Sequence, residues 1–575
     1  MKVSDYIAQT LATKRVPAVF ELVGGMITHM LDSIHTYGIT PIISMRHEQA
    51  AAFAAEGCSR MCSVPAVAMA TSGPGATNLL TGIASCYFDS TPAVFITGQV
   101  NRAEQKGARA IRQLGFQETD IVSMAAAITK RAIRVDDEHK LPALLEEVFQ
   151  LAISGRPGPV LIDIPMDIQR ADISPTTLSS RSQLQPLAID SAVISKLVEA
   201  LLNSKRPMIL AGGGLRISRS VEAFRSFVDV AQIPVVHSLM GVDCLPSAHP
   251  LNTGMIGSYG NRWSNLSLSQ ADCLIVLGSR LDVRQTGTNT KNFKGSRPIF
   301  HIDVEPGEVN NRIINCTPIF SELGSALEVL TAALAPHTQT IAQNMQLWLA
   351  TIAALRNQWP DIAELKGQPG INPNFLMHQI SAATPSAAAY VVDVGQHQMW
   401  AAQSLDLSPT QRFLTSGGLG SMGFALPAAI GASIASPGQN IVVIAGDGGF
   451  QCNIQELQTL AHLRLPIHII IVNNECHGMV RQFQESYFNS RYQSTLWGYS
   501  APNFEHIARA FNIPAFTVSD PTQVAGVLAD FASISGPSLL QVMIPSKTNA
   551  FPKLAFGHTM ESMEPFVKPL DMEGT

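Results

Sequence analysis

The 575-residue chain has little charge and no long uninterrupted apolar run. Charged residues make up 14% of it, hydrophobic residues make up 46%, and the formal net charge is only −5. This balance suits a globular protein with large interiors, and it gives no electrostatic reason to expect nucleic acid or an anionic membrane as a partner. Since no apolar run reaches the length of a membrane span, a membrane protein is not expected either.

The marks of export and of a cysteine-rich metal site are also missing. The N-terminal residues, MKVSDYIAQTLATKR, are typical of an amphipathic helix and contain neither a continuous apolar core nor a small-residue cleavage site. The eight cysteines are scattered and form no CxxC pair, which favours buried free thiols over disulfides or zinc. A cytoplasmic location is therefore expected.

Short apolar bursts alternate with helical periodicity through most of the chain. Examples are PAVAMA, PMILAGGG, NIVVIAGDGG and PIHIIIVNN. Continuous apolar strands between helices indicate parallel sheets covered on both faces. The length is too great for one ordinary core. The predicted fold class is therefore α/β, with three consecutive doubly wound parallel-sheet domains.

Polar and turn-rich stretches give the predicted boundaries. The stretch SSRSQLQPLA (179–188) separates the first domain from the second, and KGQPGINP (366–373) precedes the third. The first and third domains have a similar rhythm of strands and helices, which favours related α/β layers. The predicted domains are 1–180, 190–340 and 370–550, followed by an extended tail over 551–575.

The stretch from Gly446 to Gly478 carries the clearest chemical signal. IVVIA is predicted as a buried strand followed by the turn GDGGF, NIQELQTLAHL as a helix, and PIHIIIV as the next strand, followed by NNECHG. In a right-handed βαβ unit both turns lie at the same carboxyl edge of the sheet, where ligands bind. Asp447 and Asn474 then offer hard oxygen ligands suited to Mg²⁺, whose shell often includes phosphate.

Glycines at the first of these turns favour an anion beside the metal. Gly446, Gly448 and Gly449 let backbone N–H groups approach closely, and a helix start favours negative charge. Taken alone, GDGG is more often simply a tight turn, and NN is more often simply the end of a strand. Together, in one strand–helix–strand unit, they predict a metal ion that holds a diphosphate.

GDG followed some two dozen residues later by NN resembles the signature of thiamine diphosphate enzymes. Further stretches resemble the catalytic subunit of acetohydroxyacid synthase, and the resemblance extends over nearly the whole chain. It implies an N-terminal pyrimidine-binding domain, a central FAD-binding-like domain and a C-terminal domain that binds diphosphate and Mg²⁺. The stretches are RHEQAAAFAAEG (46–57), TSGPGATNLLTGIA (71–84), SGRPGPVLIDIP (154–165), VGQHQMWAAQ (394–403) and GGLGSMGFALPAAIGA (417–432).

The resemblance assigns an acid–base role to Glu48. Its carboxyl group would hydrogen-bond N1′ of the aminopyrimidine ring and promote the tautomer that removes the proton from C2 of the thiazolium. The charge-poor run that follows it, AAAFAAEG, predicts a buried helix in which an acid needs a partner. Glu48 and Asp447 lie on different predicted domains, which members of the family join across subunits. A homodimer or homotetramer with active sites at the dimer interface is therefore implied.

The same resemblance implies the remaining contacts of the cofactor. The metal ligands would be Asp447, Asn474 and the backbone carbonyl of Cys476. Gln396 and His397 would meet the diphosphate, and Met422 would hold the cofactor in its bent shape. The implied cofactor-binding residues are Gln396, His397, Gly420, Met422, Gly446, Gly448, Gly449, Gly478 and Met479.

The central domain carries a second cofactor signal. ILAGGGLRIS (209–218) predicts a strand, a glycine turn and a helix start, which alone is a weak phosphate-loop pattern. GMIGSYGN, VLGSRLDVRQTG and FHIDVEP resemble the stretches that hold FAD in acetohydroxyacid synthases, where the flavin has no redox part in the reaction. Some relatives bind ADP here and others bind nothing, so both alternatives stay open. The implied contacts are Arg156, Gly213, Arg280 and Asp303.

The reaction implied is decarboxylation of a 2-keto acid, pyruvate above all, with transfer of the two-carbon unit to a second carbonyl. Phe116 and Gln117 match family residues close to the reacting carbon. Arg284 matches the arginine that pairs with the carboxylate of the acceptor, a role that suits a guanidinium group. A thiamine diphosphate flavoenzyme oxidase is a further alternative.

Three departures from the family leave the acceptor open. Phe483 replaces a tryptophan that favours 2-ketobutyrate, LDVR (281–284) replaces Phe-Asp-Asp-Arg, and the long loop 101–120 adds Arg109 and Arg112. The acceptor is either a second 2-keto acid or a CDP-linked 4-keto-deoxysugar. The latter is used by the carboligases of branched deoxysugar (yersiniose-type) biosynthesis, which the chain also resembles.

Overall fold

The computed structural model describes residues 1–62, 64–174 and 189–571. It shows three α/β units in sequence, each built on a six-stranded parallel sheet, as predicted. The stretch 179–188, predicted as a boundary, lies outside the described residues, as do the last four residues of the predicted tail. Within the described ranges, none of the helices is both long enough and apolar enough to cross a bilayer.

The N-terminal unit has the strand order β2-β1-β3-β4-β6-β5. The predicted burst PAVAMA forms β3, and the similar stretch PAVFITG forms β4. Both strands are wholly buried because helices cover both faces of the sheet. The strands are β1 (Val19–Leu22), β2 (Ile42–Ser44), β3 (Ala66–Ala70), β4 (Ala93–Gln99), β5 (Arg131–Arg134) and β6 (Pro159–Pro165). The helices are α1 (Val3–Thr13), α2 (Thr28–Tyr37), α3 (Glu48–Met61), α4 (Pro74–Asn78), α5 (Leu80–Phe88), α6 (Ile121–Ala125), α7 (Leu141–Ile153) and α8 (Met166–Arg170).

The central unit has the strand order β12-β11-β10-β7-β8-β9. The order reverses between β7 and β10, which is the arrangement of doubly wound nucleotide-binding sheets. The strands are β7 (Pro207–Ala211), β8 (Val235–His237), β9 (Asn252–Met255), β10 (Cys273–Leu277), β11 (Ile299–Asp303) and β12 (Thr317–Phe320). The helices are α9 (Ser191–Asn203), α10 (Gly214–Ile217), α11 (Val221–Ala231), α12 (Arg262–Gln270), α13 (Val283–Thr286), α14 (Thr290–Lys294), α15 (Leu323–Leu334) and α16 (Thr338–Gln358).

The C-terminal unit repeats the order of the N-terminal one, β14-β13-β15-β16-β18-β17. The similar rhythm of the two sequences therefore reflects one shared topology. The strands are β13 (Ala389–Val392), β14 (Arg412–Leu414), β15 (Ile441–Gly446), β16 (Ile467–Asn473), β17 (Ala515–Val518) and β18 (Ser538–Met543). The helices are α17 (Pro373–Ala383), α18 (Gln396–Ser404), α19 (Ala425–Ala435), α20 (Asp447–Gln451), α21 (Leu457–Leu463), α22 (Gly478–Tyr487), α23 (Phe504–Ala510) and α24 (Val524–Ala532).

One hydrophobic core joins the N-terminal and C-terminal units, whereas the central unit has a core of its own. Helices α3 and α19 cross inside the shared core. A Cβ atom on Gly57 would collide with the backbone carbonyl of Ala428, and one on Gly431 would collide with that of Ala54. Only glycine allows the two helices to approach so closely.

The segment predicted as an extended tail instead folds back on the protein. Its strands β19 (Lys553–Leu554) and β20 (Met563–Glu564) pair antiparallel. The Lys553 ammonium donates to the Glu564 carboxylate at 2.7 Å inside the fold. Apolar side chains spaced along the segment, such as Met560 and Met563, are buried. Their burial provides a stabilisation that the scattered prolines and acidic residues of the sequence do not reveal.

Candidate active site

Two neighbouring strands of the C-terminal sheet end at the predicted ligand residues. The parallel register of β15 and β16 places Gly446 opposite Val472. Asp447 and Asn474 therefore leave the sheet at the same carboxyl edge, where ligands bind in such sheets. Both side chains are buried. The edge predicted from the sequence is the edge that the structure shows.

The predicted turn GDGGF is helical, since α20 begins at Asp447 directly after β15. Gly446 is extended, with φ −89° and ψ 160°, and Asp447 stands in the first helical turn. The first N–H groups of a helix have no partner within it, so those of Gly448 and Gly449 face the same edge as the carboxylate. The predicted helix NIQELQTLAHL is also divided, into a 3₁₀ turn (Ile454–Glu456) and α21.

Asp447 is held by an aromatic side chain. The Tyr499 hydroxyl donates a hydrogen bond of 2.8 Å to Oδ2 of Asp447, and the Tyr499 ring lies edge-on to His477 with the centroids 4.5 Å apart. Burial raises the pKa of Asp447 to about 6, against the lowering effect of Tyr499 and of nearby backbone N–H groups. A cation beside this carboxylate would offset the effect of burial on its charged form.

Asn474 joins a network of amides. Its Nδ2 donates to Oε1 of Gln396 at 3.3 Å, and Nε2 of Gln396 donates to Oε1 of Gln482 at 3.0 Å. Oδ1 of Asn474 accepts the backbone N–H of Cys476 at 3.2 Å, and the Cys476 carbonyl accepts that of Gly478 at 2.9 Å. A carbonyl oxygen has two lone pairs, so each of these two oxygens keeps one for a metal ion.

The pocket beside these ligands fits an anionic group. The buried His397 has no hydrogen-bond partner at Nε2 among the described residues, and burial lowers its pKa to about 3, so the ring is neutral. A Cβ atom on Gly446 would lie 2.8 Å from the His397 ring, and one on Gly448 would lie 2.6 Å from His477. An unpartnered buried nitrogen and a cradle that admits only glycine suit a diphosphate.

The donor set suits Mg²⁺ better than a soft metal. Carboxylate, amide and backbone carbonyl oxygens are its usual protein ligands, with phosphate oxygens and water completing the shell. Within the described ranges there is no cluster of three or more His, Cys, Asp or Glu side chains that would hold a metal by itself. An ion at this edge would therefore depend on the diphosphate as well as on the protein.

Gly420 and Met422 lie on an open turn. Gly420 has a positive φ of 74° with open space where a side chain would be, and the Met422 side chain is 38% exposed. Met479 is half-buried in the first turn of α22. A Cβ atom on Gly478 would collide with the side-chain oxygen of Gln396, so a glycine is needed at the start of that helix.

Glu48 is the buried first residue of α3, and the helix is buried along most of its length, as predicted. Its Oε2 accepts a hydrogen bond of 2.9 Å from Asn78, the partner that a buried acid needs. The end of α3 that carries Glu48 touches the C-terminal unit, since the Arg46 N–H donates to Glu456 at 2.9 Å and Asn453 donates to Gln49 at 3.3 Å.

The predicted substrate residues lie on exposed elements. Phe116 is 80% exposed in the loop 101–120, and Gln117 has a positive φ of 64° and packs on Gly73. Arg284 is exposed on α13, where its backbone carbonyl accepts the N–H of Ser258 at 2.6 Å. Phe116 and Gln117 therefore lie on the loop of the N-terminal unit, whereas Arg284 lies in the central unit.

A cavity of about 670 Å³ lies between the three units. Its wall includes all four residues predicted to contact a flavin, together with Arg284. Gly213 follows β7 and Arg280 follows β10, the two strands at which the sheet order reverses, so both stand where such sheets bind nucleotides. The volume is within the range of cofactor pockets. The residues are Arg156, Gly213, Arg280 and Asp303.

Comparisons with known proteins match this architecture. The model of the thiamine pyrophosphate enzyme N-terminal TPP binding domain matches residues 1–124, that of the central domain matches 194–330, and that of the C-terminal TPP binding domain matches 393–542. The chain is 36% identical over 564 residues to the acetolactate synthase large subunit of Lactococcus lactis subsp. lactis, with 97% of this chain and 95% of that one covered. The chain belongs to the acetolactate synthase family.

Two further relatives agree. The chain is 35% identical over 565 residues to the acetolactate synthase isozyme 2 large subunit of Escherichia coli, with 98% of this chain and 99% of that one covered. It is 35% identical over 573 residues to acetolactate synthase 1, chloroplastic, of Oryza sativa subsp. japonica, with 98% and 87% covered. The predicted family and fold are thereby confirmed, and the protein is an enzyme of the thiamine diphosphate-dependent carboligase type.

Three residues at the site of this acetolactate synthase-type enzyme were not predicted from the sequence. Tyr499 holds Asp447, Gln482 holds Gln396, and Asp393 accepts the N–H of Gly423 with both carboxylate oxygens at 3.1 Å. Asp393 follows the buried strand β13 as Asp447 follows β15, so the sequence contains a signal for it. Tyr499 and Gln482 stand in polar stretches that give no such signal.

Proposed function

We propose that the enzyme decarboxylates pyruvate and transfers the two-carbon unit to a carbonyl acceptor, with thiamine diphosphate held through Mg²⁺. Asp447 and Asn474 stand at adjacent strand ends beside His397, whose Nε2 has no partner among the described residues. This observation carries the proposal. These two side chains and the Cys476 carbonyl would hold the metal, while Gln396 and His397 would contact the diphosphate. The mixed oxygen donor set and the glycine cradle support this arrangement.

Bound thiamine diphosphate supplies the electron sink for the loss of CO₂ from a 2-keto acid. The chain contributes the proton transfer and the surroundings. Glu48 is buried and held by Asn78, so its carboxyl group can exchange a proton with a ring nitrogen rather than with water. Phe116 and Gln117 would border the reacting carbon, and Arg284 would bind the carboxylate of the acceptor.

We further propose a dimer with the active sites at the subunit interface. Large apolar side chains are exposed on the loop 101–120 of the N-terminal unit and around the metal edge of the C-terminal unit, and such groups of exposed side chains mark interaction surfaces. A second subunit would cover both groups and complete each site with the partner's residues. The side chains are Ile111, Leu114, Phe116, Leu419, Met422 and Val480.

FAD is the proposed occupant of the central cavity. The cavity lies at the reversal of the central sheet and is lined by several arginines, which favours a dinucleotide with a diphosphate. Protein purified without added flavin should have a flavin absorption spectrum, with about one flavin released per chain on heating. Pyruvate should not bleach that spectrum at the rate of turnover. Rapid bleaching would instead support an oxidase.

A product assay tests the proposed reaction. Purified enzyme is supplied with thiamine diphosphate, Mg²⁺, FAD and pyruvate, and acetolactate and CO₂ are measured. Fast acetolactate formation would support a second 2-keto acid as acceptor. Absence of CO₂ release from pyruvate under every acceptor condition would refute the proposal.

A CDP-linked 4-keto-deoxysugar is the second candidate acceptor. Arg109 and Arg112 are exposed on the long loop that also carries Phe116, so they offer cationic contacts for a nucleotide diphosphate at the site entrance. Slow acetolactate formation, with much faster formation of a branched tertiary alcohol when a non-acid ketone is added, would favour this candidate. A double variant, Arg109→Gln with Arg112→Gln, should then slow only the reaction with the nucleotide-linked ketone.

A further inference from the structure

We infer that Asp89 and Asp393, from different units of the chain, position the turn 416–423 and thereby the Met422 side chain in the cofactor site. The inference rests on the proposed function, because it concerns a residue proposed to contact thiamine diphosphate. In the described part of the chain, Asp89 lines the cavity proposed for FAD and has no hydrogen bond to the metal ligands. It is therefore a positioning residue that acts through the backbone of the turn.

Asp89 fixes the first part of the turn. It lies at the end of α5 in the N-terminal unit and is 6% exposed. Its Oδ2 accepts the backbone N–H of Gly417 at 3.1 Å, and its Oδ1 accepts that of Gly418 at 2.6 Å. A Cβ atom on Gly418 would lie 2.8 Å from Oδ1, so the close approach requires glycine. A buried carboxylate that accepts two N–H groups is a strong local constraint.

Other residues of the N-terminal unit reinforce this contact. Nη1 of Arg60 donates to the Thr415 carbonyl at 2.7 Å, and the Ser85 and Ser416 hydroxyls are 3.4 Å apart. Ser416 also accepts the N–H of Ser421 at 3.2 Å, which closes the turn on itself. The strand end and the first half of the turn are therefore fixed against a different unit of the chain.

Asp393 fixes the last part of the turn from within the C-terminal unit. Both of its carboxylate oxygens lie 3.1 Å from the N–H of Gly423, and the Gly423 carbonyl accepts Nδ2 of Asn453 at 2.8 Å. Asp393 is buried, and a Cβ atom on Gly449 would lie 3.1 Å from Oδ2. The same carboxylate therefore touches the turn and the glycine cradle after β15.

The middle of the turn receives no comparable support from the residues that the structure describes. Gly420 faces open space, and Leu419 and Met422 are 37% and 38% exposed. Within one subunit, the place of Met422 is therefore set by the two carboxylates at the ends of the turn rather than by packing around the side chain. If the Asp89 end is released, Met422 can move while the metal ligands on β15 and β16 remain in place.

The test compares cofactor activation with cofactor binding. The variants are Asp89→Asn and Asp89→Ala, together with Gly418→Ala, which disturbs the same contact from the other side. Hydrogen–deuterium exchange at C2 of bound thiamine diphosphate is followed by NMR after an acid quench. Calorimetry gives the affinity for the cofactor in the presence of Mg²⁺. Exchange should slow about 10- to 100-fold, the effect expected of a misplacement near 1 Å, while the affinity stays close to that of the wild type.

Two matched controls separate positioning from general loss of stability. Asp272 in the central unit also accepts two backbone N–H groups, from Lys205 at 2.9 Å and Arg206 at 3.0 Å, so Asp272→Asn weakens equivalent bonds far from the turn. Gly526 lies in α24 with open space around it, so Gly526→Ala controls for glycine replacement. Both controls should exchange at the wild-type rate even where their melting temperatures change.

Wild-type exchange rates in Asp89→Asn and Gly418→Ala would overturn the inference, and so would an equal slowing in Asp272→Asn. A loss of cofactor affinity in parallel with exchange would also overturn it, because the metal edge would then be affected as well. Wild-type protein that binds the cofactor without speeding exchange would instead refute the proposed function, and the inference with it. Asp89→Asn keeps one acceptor oxygen and should slow exchange less than Asp89→Ala.

Discussion

Tyr499 and Asp447 are 52 positions apart in the sequence, yet the Tyr499 hydroxyl donates a hydrogen bond of 2.8 Å to Oδ2 of Asp447. The bond fixes the rotation of the carboxylate and leaves Oδ1 for another partner. Burial and, to a smaller extent, the nearby carboxylate raise the pKa of Tyr499, so the phenol stays protonated and remains a donor. A phenol that orients a metal-binding carboxylate contributes to metal affinity without contacting the metal.

Tyr499→Phe should weaken Mg²⁺ binding about tenfold or more, the usual cost of losing an outer-shell partner of a metal ligand. The ring and its contact with His477 are kept, so the fold should not change. Titration of Mg²⁺ in the presence of thiamine diphosphate, followed by calorimetry, measures the effect. Tyr492→Phe removes a hydroxyl from the same loop and should bind Mg²⁺ like the wild type. Equal affinities for all three proteins would contradict the role of Tyr499.

Asp447→Ala should abolish Mg²⁺-dependent binding of thiamine diphosphate, because the one anionic side chain proposed as a ligand of the metal is lost. Calorimetry with and without Mg²⁺ measures the change. Glu475→Asn is the matched control, since Glu475 is an exposed carboxylate in the neighbouring turn with a φ of 53°, which asparagine adopts readily. Binding of the cofactor to Asp447→Ala with wild-type affinity would rule out this residue as a ligand.

Glu48→Gln should slow proton exchange at C2 of the bound cofactor by roughly 10²-fold or more, because an amide cannot take up the proton. Circular dichroism should show an unchanged fold. Glu328 provides the control, since it is exposed on α15 of the central unit. Glu328→Gln makes the same change of side chain away from the site and should exchange at the wild-type rate. Unchanged exchange in Glu48→Gln would remove Glu48 from the mechanism.

His378 should make stability depend on pH in the alkaline range. Its ring nitrogens each lie 2.8 Å from a carboxylate oxygen, one of Asp361 and one of Asp406, and these two bonds raise the pKa of His378 from 6.5 to about 10. The folded-state pKa exceeds the unfolded one, so the stabilisation is fully present below pH 6.5 and is lost as the pH rises to about 10.

Melting temperatures of the wild type and of His378→Gln test this dependence. The variant should be less stable than the wild type near pH 6.5. The difference in melting temperature should shrink as the pH rises through the alkaline range. His35→Gln, at an exposed position on α2, is the control and should follow the wild type throughout. A constant difference at every pH would show that His378 contributes by packing rather than by charge.

Strands and the sheet edge at which they end could be predicted from the sequence, because burial and strand order decide them. PIHIIIV and IVVIA are apolar throughout because helices cover both faces of the sheet, so β15, β16 and the common edge for Asp447 and Asn474 were predictable. Even there, the helical start at Asp447 was predicted as a turn. Glycines at three of four positions favour a turn locally, while packing against the sheet stabilises the helix.

Contacts between distant segments were not predictable from local patterns. Asp89 and Gly418 are separated by more than three hundred residues, and neither sits in a motif that reveals the other. Tyr499 lies in the polar stretch that follows α22, where hydrophobic periodicity gives no orientation. The pairing of the tail strands depends on apolar residues that are too widely spaced to form a strand pattern by themselves.

The core shared by the N-terminal and C-terminal units has a consequence for how the protein melts. Helices α3 and α19 pass too close for any side chain at Gly57 or Gly431, so neither unit can lose its structure without exposing the interior of the other. The two ends of the polypeptide therefore form one cooperative unit, while the middle, with a core of its own, can open separately. On heating, the order in which parts are lost should follow the cores rather than the order along the chain.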